Sequence, residues 1–248
     1  SSYQGTPVTK IGDNAFKDCS SLSSVTIPDS VTSIGERAFF DCERLTSVTI
    51  GNSVASIGFE AFYHCKRLSS VTIPDSVTSI GEGAFHGCHS LASLTIGDSV
   101  INIGGWAFAD SSLANVTIPE SVISIENGAF ASSSSLTSIE VVGGNIEYSS
   151  EDGVLFDKNK TVLIQFPAGK SGHYTIPDSV TNIGQEAFYV CSSLTSVTIP
   201  GSVNSIGDWA FYGCSSLTSV TIPDSVTSIG EGAFNGCSSL TSVTIPDS

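Results

Sequence analysis

Seven cysteines, Cys19, Cys42, Cys65, Cys88, Cys191, Cys214 and Cys237, recur along the chain, each three residues after the phenylalanine of an Ala-Phe pair. Thiols could bind a metal, cross-link or act as nucleophiles, and their spacing argues against all three. None stands in a Cys-x-x-Cys or other zinc pattern. Seven is an odd number, and Ser133 takes the same place in another repeat. The column therefore reads as small buried hydrophobes packed one on another. The four histidines, His64, His86, His89 and His173, form no His-Glu-x-x-His pair, and no serine sits in a nucleophile elbow. A column of acids, Asp29, Asp75, Asp98, Glu120, Asp178, Asp224 and Asp247, could hold calcium if it were stacked. Each follows Pro or Gly directly, where an acidic side chain bonds turn backbone, and Asn52 and Gly201 interrupt the series. Neither catalysis nor a metal or other cofactor is expected.

The aromatic residues carry the sharper signal. The position after Ala-Phe reads Lys17, Phe40, Tyr63, His86, Ala109, Ala131, Tyr189, Tyr212 and Asn235. Just before Ala-Phe stand Trp106 and Trp209, and one place earlier stands Phe59. The phenylalanine of Ala-Phe fills the interior, so these flanking side chains are expected to face solvent. They should form two stripes, Phe40, Tyr63 and His86 with Phe59 and Trp106, then Tyr189 and Tyr212 with Trp209. Contiguous exposed rings imply a partner. The C–H faces of sugar rings stack on aromatics, so a neutral polysaccharide of xylan or β-glucan type suits the pattern. No basic residue is expected to line the stripes, so such binding should depend little on salt.

These positions are set by a repeat of about 23 residues, Leu-x-x-Val-x-Ile-Pro-Asp-Ser-Val-x-x-Ile-Gly-x-x-Ala-Phe-x-x-Cys-x-x, in which Ala-Phe occurs nine times. The stretch from Ser70 to Phe85 returns letter for letter from Ser219 to Phe234. Val25 and Ile27 alternate around Thr26, the period of a strand with one buried face. Pro28-Asp29-Ser30 turns the chain, Val31 and Ile34 begin a second extended segment, and Gly35 permits a bend. One such unit cannot bury its apolar groups alone, whereas stacked units share a core. The expected fold is a strand-rich, right-handed parallel β solenoid of about ten coils. The outward strand positions, Ser24 with Thr26 and their equivalents to Thr244, form a flat hydroxyl array, read as a solvated β face.

The Ile-Gly-x-x-Ala-Phe-x-x-Cys-x-x-Leu phrase resembles the BspA-like, or treponemal-type, leucine-rich repeat family over nearly the whole chain. That resemblance implies a curved solenoid with little helix, in secreted or surface proteins of host-associated microbes, used for adhesion and binding rather than catalysis.

The rhythm breaks once, where Ile176 stands 35 positions after Val141 instead of about 23. Within them, Val154–Phe156 and Thr161–Phe166 read as a hairpin around Asp157-Lys158-Asn159-Lys160. The chain thus divides into repeats over 1–141, an inserted hairpin repeat over 142–175 and repeats over 176–248, one continuous solenoid. A net charge of −15 with nine Lys and Arg disfavours nucleic acid, and no apolar run is long enough for membrane insertion. The start at Ser1 and the end inside a repeat suggest a piece of a longer secreted or surface-anchored protein. Two functions follow as expectations. One is a binding module for plant cell-wall polysaccharide, appended to a glycan-degrading enzyme. The other is a surface adhesin for a host extracellular-matrix protein.

Overall fold

The computed structural model describes residues 6–245. Among them there is no helix, and strands of two to five residues alternate with turns in a stacked solenoid of coils. The Ile of Ile-Gly lies on a two-residue strand, and these strands build the widest sheets. Lys10–Ile11, Ser33–Ile34, Ser56–Ile57, Ser79–Ile80, Asn102–Ile103 and Ser124–Ile125 form one six-stranded parallel sheet. The Val-Thr strands pair in twos, as Ser24–Thr26 does with Ser47–Thr49. Register follows the repeat, Ile34 opposite Ile57 and Val25 opposite Val48.

Coil stacking is tight at Ile-Gly. A Cβ on Gly58 would lie 2.7 Å from the carbonyl carbon of Gly35, and one on Gly81 as close to that of Gly58. Only hydrogen fits there, which is why glycine recurs at this place. The Ala-Phe phenylalanines form the expected column, buried from Phe39 to Phe130, whereas Phe16 in the first described coil is exposed. Phe16, Phe39, Phe62, Phe85, Phe108 and Phe130 stack with centroids 5.0–5.7 Å apart. Each fully buried ring of the column stabilises the fold by about 2–3 kcal/mol.

The insertion is more than a hairpin. Tyr148–Glu151, Val154–Asp157 and Val162–Gln165 form an antiparallel meander, whose first strand the sequence did not reveal. Its last strand joins Asn182–Ile183 in parallel and starts the second sheet's run through Ser205–Ile206 and Ser228–Ile229. Asp157 closes the turn by accepting the Thr161 and Val162 amides at 2.6 and 2.8 Å. Where the first sheet ends, the Tyr148 hydroxyl accepts the Ile125 amide at 2.8 Å. The core divides at this point into one cluster from Ile27 to Ile139, with Leu155, and another from Val154 to Cys237.

One consequence reaches the opposite surface. Leu163 pairs with Ile183, and Phe166 stacks on Phe188 at 4.9 Å, so the meander supplies a rung of both columns. Between Ile183 and Phe188 stand Gly184, Gln185, Glu186 and Ala187, whereas only Ile164 and Gln165 separate Leu163 from Phe166. That coil lacks two residues of the turn that its neighbours project outward.

Candidate binding surface

The turn before Ala-Phe is built on left-handed backbone. Arg37, Glu60, Trp106, Glu186 and Trp209 occupy it with φ between 50° and 59°, and Gly83, Gly128 and Gly232 with φ between 60° and 65°. Bulky side chains are strained in this region, where glycine is at ease. Glu60, Trp106 and Trp209 each lie against the glycine of the next coil, Gly83, Gly128 and Gly232. A Cβ on Gly128 would lie 3.0 Å from the Trp106 ring, and one on Gly232 only 2.4 Å from the Trp209 ring. The conformation recurs from coil to coil and belongs to the turn of the repeat, and it lays Trp106 and Trp209 over glycine platforms.

The eight aromatic candidates fall on one surface, with two departures from the expected picture. First, the stripes are not separated. Phe40, Tyr63 and His86 stack at 4.8 and 5.0 Å, His86 reaches Trp106 at 5.9 Å, Trp106 meets Tyr189 edge-on at 4.8 Å, and Tyr189 stacks on Tyr212 at 4.8 Å. The line closes because Ala109 and Ala131 are small and the hairpin coil is short on this side. Second, the rings do not all face solvent. Trp209 is 37% exposed, whereas Phe40, Phe59, Tyr63, His86, Trp106, Tyr189 and Tyr212 are half-buried. Residues one coil apart in register cover each other's faces, so Phe40, Tyr63 and His86, within 6° of parallel, present mainly edges. Trp106, Tyr189, Trp209 and Tyr212 surround a cup of about 270 Å³.

Basic groups do touch the first stripe. Lys17 Nζ lies 5.0 Å from the Phe40 ring centre, and the Arg37 guanidinium lies 5.0 Å from that of Phe59 while bonding Glu60 at 2.6 Å. Within the stripe, burial lowers the pKa of His86, against a smaller opposing pull from Asp110, which favours the neutral ring.

The remaining columns hold the coils together. Six cysteine thiols donate to a phenylalanine carbonyl one coil back, as Cys65 does to Phe39 and Cys214 to Phe188 at 3.4 and 3.1 Å. Burial pushes the Cys42 thiol up to about 11 and Cys88 up to about 12, so both stay protonated and inert. Cys19, in the first described coil, is exposed rather than buried. Two acids of the turn column, Asp29 and Asp75, accept the amides of Asn52 and Asp98 in the next coil, a bond between coils rather than within one turn. Asp247 lies outside the described residues, among which no three acids, cysteines or histidines stand close enough to hold a metal ion. The hydroxyl face includes a shallow cleft of about 590 Å³ lined by Thr49, Ser70, Thr72 and Thr95, with Asp75 and Asp98 at its edge.

The sequence model described as the BspA type leucine-rich repeat region matches in six copies over residues 9–137, 55–169 and 166–248. Among solved structures, a leucine-rich repeat protein of Eubacterium ventriosum is 35% identical, with TM-score 0.83 over 90% of this chain and 59% of its own. A leucine-rich cell surface protein of Faecalibacterium prausnitzii is 34% identical, with TM-score 0.75 over 97% of this chain and 77% of its own. The pneumococcal vaccine antigen PcpA is 28% identical, with TM-score 0.80, over 95% of this chain and 67% of its own. The chain thus spans under two thirds of the Eubacterium protein. Among curated proteins none matches this sequence. Repeat motif, stacked coils and relatives agree: the chain belongs to the BspA-type leucine-rich repeat family.

Proposed function

We propose that this chain is a non-catalytic binding module displayed outside the cell, and that it recognises a protein partner bearing basic side chains, as an adhesin does on an extracellular-matrix protein. The observation that carries the reading is the face-to-face stacking of Phe40, Tyr63 and His86. A sugar platform needs a free ring face, whereas a protein interface uses half-buried aromatics packed edge and face together. A net charge of −15 steers a basic partner toward the chain as a whole. The description of the Faecalibacterium relative as a cell surface protein supports display at the surface.

A second reading keeps one observation of its own. Trp209 is the exposed ring of the eight and stands beside Tyr212 on the open cup, which suits a sugar ring of a neutral polysaccharide such as xylan or a β-glucan. Salt separates the two. Retention on immobilised matrix proteins that falls steeply as salt rises, with no retardation in gels containing soluble xylan or β-glucan, supports the adhesin. Salt-insensitive retardation by a neutral glycan, unchanged by EDTA, replaces it with the glycan module.

A further inference from the structure

Beside the aromatic cup lies a notch of about 360 Å³, lined by Glu82, Trp106, Glu126, Gln185 and Glu186. It opens where the hairpin coil lacks the two turn residues that other coils carry. Glu126 uses one oxygen to accept the Gly105 amide at 2.9 Å. Glu186 stands apart from the other carboxylates. It is 2% exposed, its Oε2 has no hydrogen-bond partner, and that oxygen lies where a Cβ on Gly128 would be 2.4 Å away. Burial pushes its carboxyl above the usual range, only partly opposed by the Gln185 side chain. A buried carboxylate oxygen without a donor is costly, and a fold that keeps one beside a ligand-sized opening leaves a bond for a ligand to complete.

We propose that the notch is a recognition pocket for a primary ammonium, the side chain of a lysine on the protein partner, with Glu186 as the anion and Trp106 as the aromatic wall. This rests on the protein-partner reading and specifies what that partner presents. The chemistry narrows the cation. Among the described residues no acidic trio is close enough for a metal ion. A guanidinium is matched best by two free oxygens side by side, and Glu186 leaves one unpaired. A quaternary ammonium offers no N–H, so it would leave Oε2 unsatisfied. A lysine supplies a point charge with rotatable donors, and its charge lies well against a tryptophan face. Glu82 and Glu126 add negative potential at the mouth.

The two tryptophans both line the cup and Trp106 also lines the notch, so intrinsic fluorescence reports on this region. The full chain would be titrated with Nα-acetyl-lysine methylamide and with its Nε-acetylated form. Saturable binding of the free amine alone is expected, weakened about tenfold or more by Glu186→Gln, with the melting temperature of that variant no lower than the parent's. The acetylated comparison uses the parent chain, so it holds even if the variant folds poorly. Equal binding of the two probes, or full affinity in Glu186→Gln, overturns the pocket. Retention of matrix proteins, measured alongside, separates the two ideas. Retention that survives Glu186→Gln at full strength leaves the adhesin reading standing and the lysine pocket refuted. Amine binding without retention of any protein supports the ammonium pocket while refuting its assignment to a protein partner.

Discussion

Trp106 and Tyr189 meet edge-on with ring centres 4.8 Å apart, although the inserted meander lies between them in the chain. The contact shows what the insertion does to the opposite surface. By supplying Leu163 and Phe166 to the second core cluster with a shortened turn between them, it draws two aromatic stripes into one line. Local surplus on one edge of the solenoid is coupled to local deficit on another.

Gly128 sits under that contact, with φ 65° and no room for a side chain toward Trp106 or Glu186. Gly128→Ala must accept left-handed strain and push against both groups, so a loss of about 1–2 kcal/mol is expected. Chemical denaturation measures the loss, and a shift in tryptophan emission would report displacement of Trp106. An unchanged midpoint and spectrum would mean the notch is looser than its geometry indicates.

The thiol column makes a prediction in pH and reactivity. A thiol reagent at neutral pH should modify exposed Cys19 first, then Cys237 at the edge of burial, and reach the other five only on unfolding. The stability effect has a definite sign. Cys42 and Cys88 titrate near 11 and 12 in the fold, above the ordinary 9, so the folded chain holds protons that the unfolded chain releases. Their contribution is intact below about pH 9 and is lost as pH rises toward 11–12. Melting temperature followed from pH 8 upward, in parent and Cys88→Ser, checks it: the fall should be shallower in the variant.

Much of the fold was legible because every coil repeats the same burial problem, so phenylalanine, isoleucine and cysteine positions announce their columns. The alternation in the Val-Thr strands marks burial but not that the Ile-Gly strands build the widest sheets. Tyr148–Glu151 was missed because its Tyr-Ser-Ser-Glu lacks the apolar alternation of an ordinary strand. The site was half legible. Composition at one column named the rings, but stacking of equivalent positions, which hides ring faces, is a property of register between coils. Glu186 gave no signal, since Arg37, Glu60 and Trp106 share its place and only the shortened neighbouring coil buries it.

Tyr148 bridges the break between the two sheets through its bond to the Ile125 amide. Tyr148→Phe leaves that amide without its partner in a half-buried place, a cost of about 1–2 kcal/mol. Hydrogen exchange is the informative measurement. The Ile125 amide should lose protection in the variant, while those near Ile206, in the other core cluster, keep theirs. Equal loss at both places would show that the clusters unfold as one unit.

Two triple substitutions to alanine separate packing from recognition along the aromatic line. Phe40, Tyr63 and Trp106 are half-buried, and Tyr63 is stacked between Phe40 and His86. Their removal gives up stacking of about 0.5–1.5 kcal/mol per pair, besides burial, so it should lower the denaturation midpoint clearly. Tyr189, Trp209 and Tyr212 line the open cup, and Trp209 is exposed, so their removal should cost less stability and more binding. If the cup is the contact, this triple weakens partner binding more than tenfold, because two or three aromatic contacts together exceed the roughly 1.4 kcal/mol that a factor of ten represents. Binding and unfolding measured on both variants decide the matter. Equal losses of binding would make the whole line the interface. A loss confined to the Phe40, Tyr63 and Trp106 triple, in a variant shown to be folded, would move the contact to the opposite end of the line, where Lys17 and Arg37 lie against the rings.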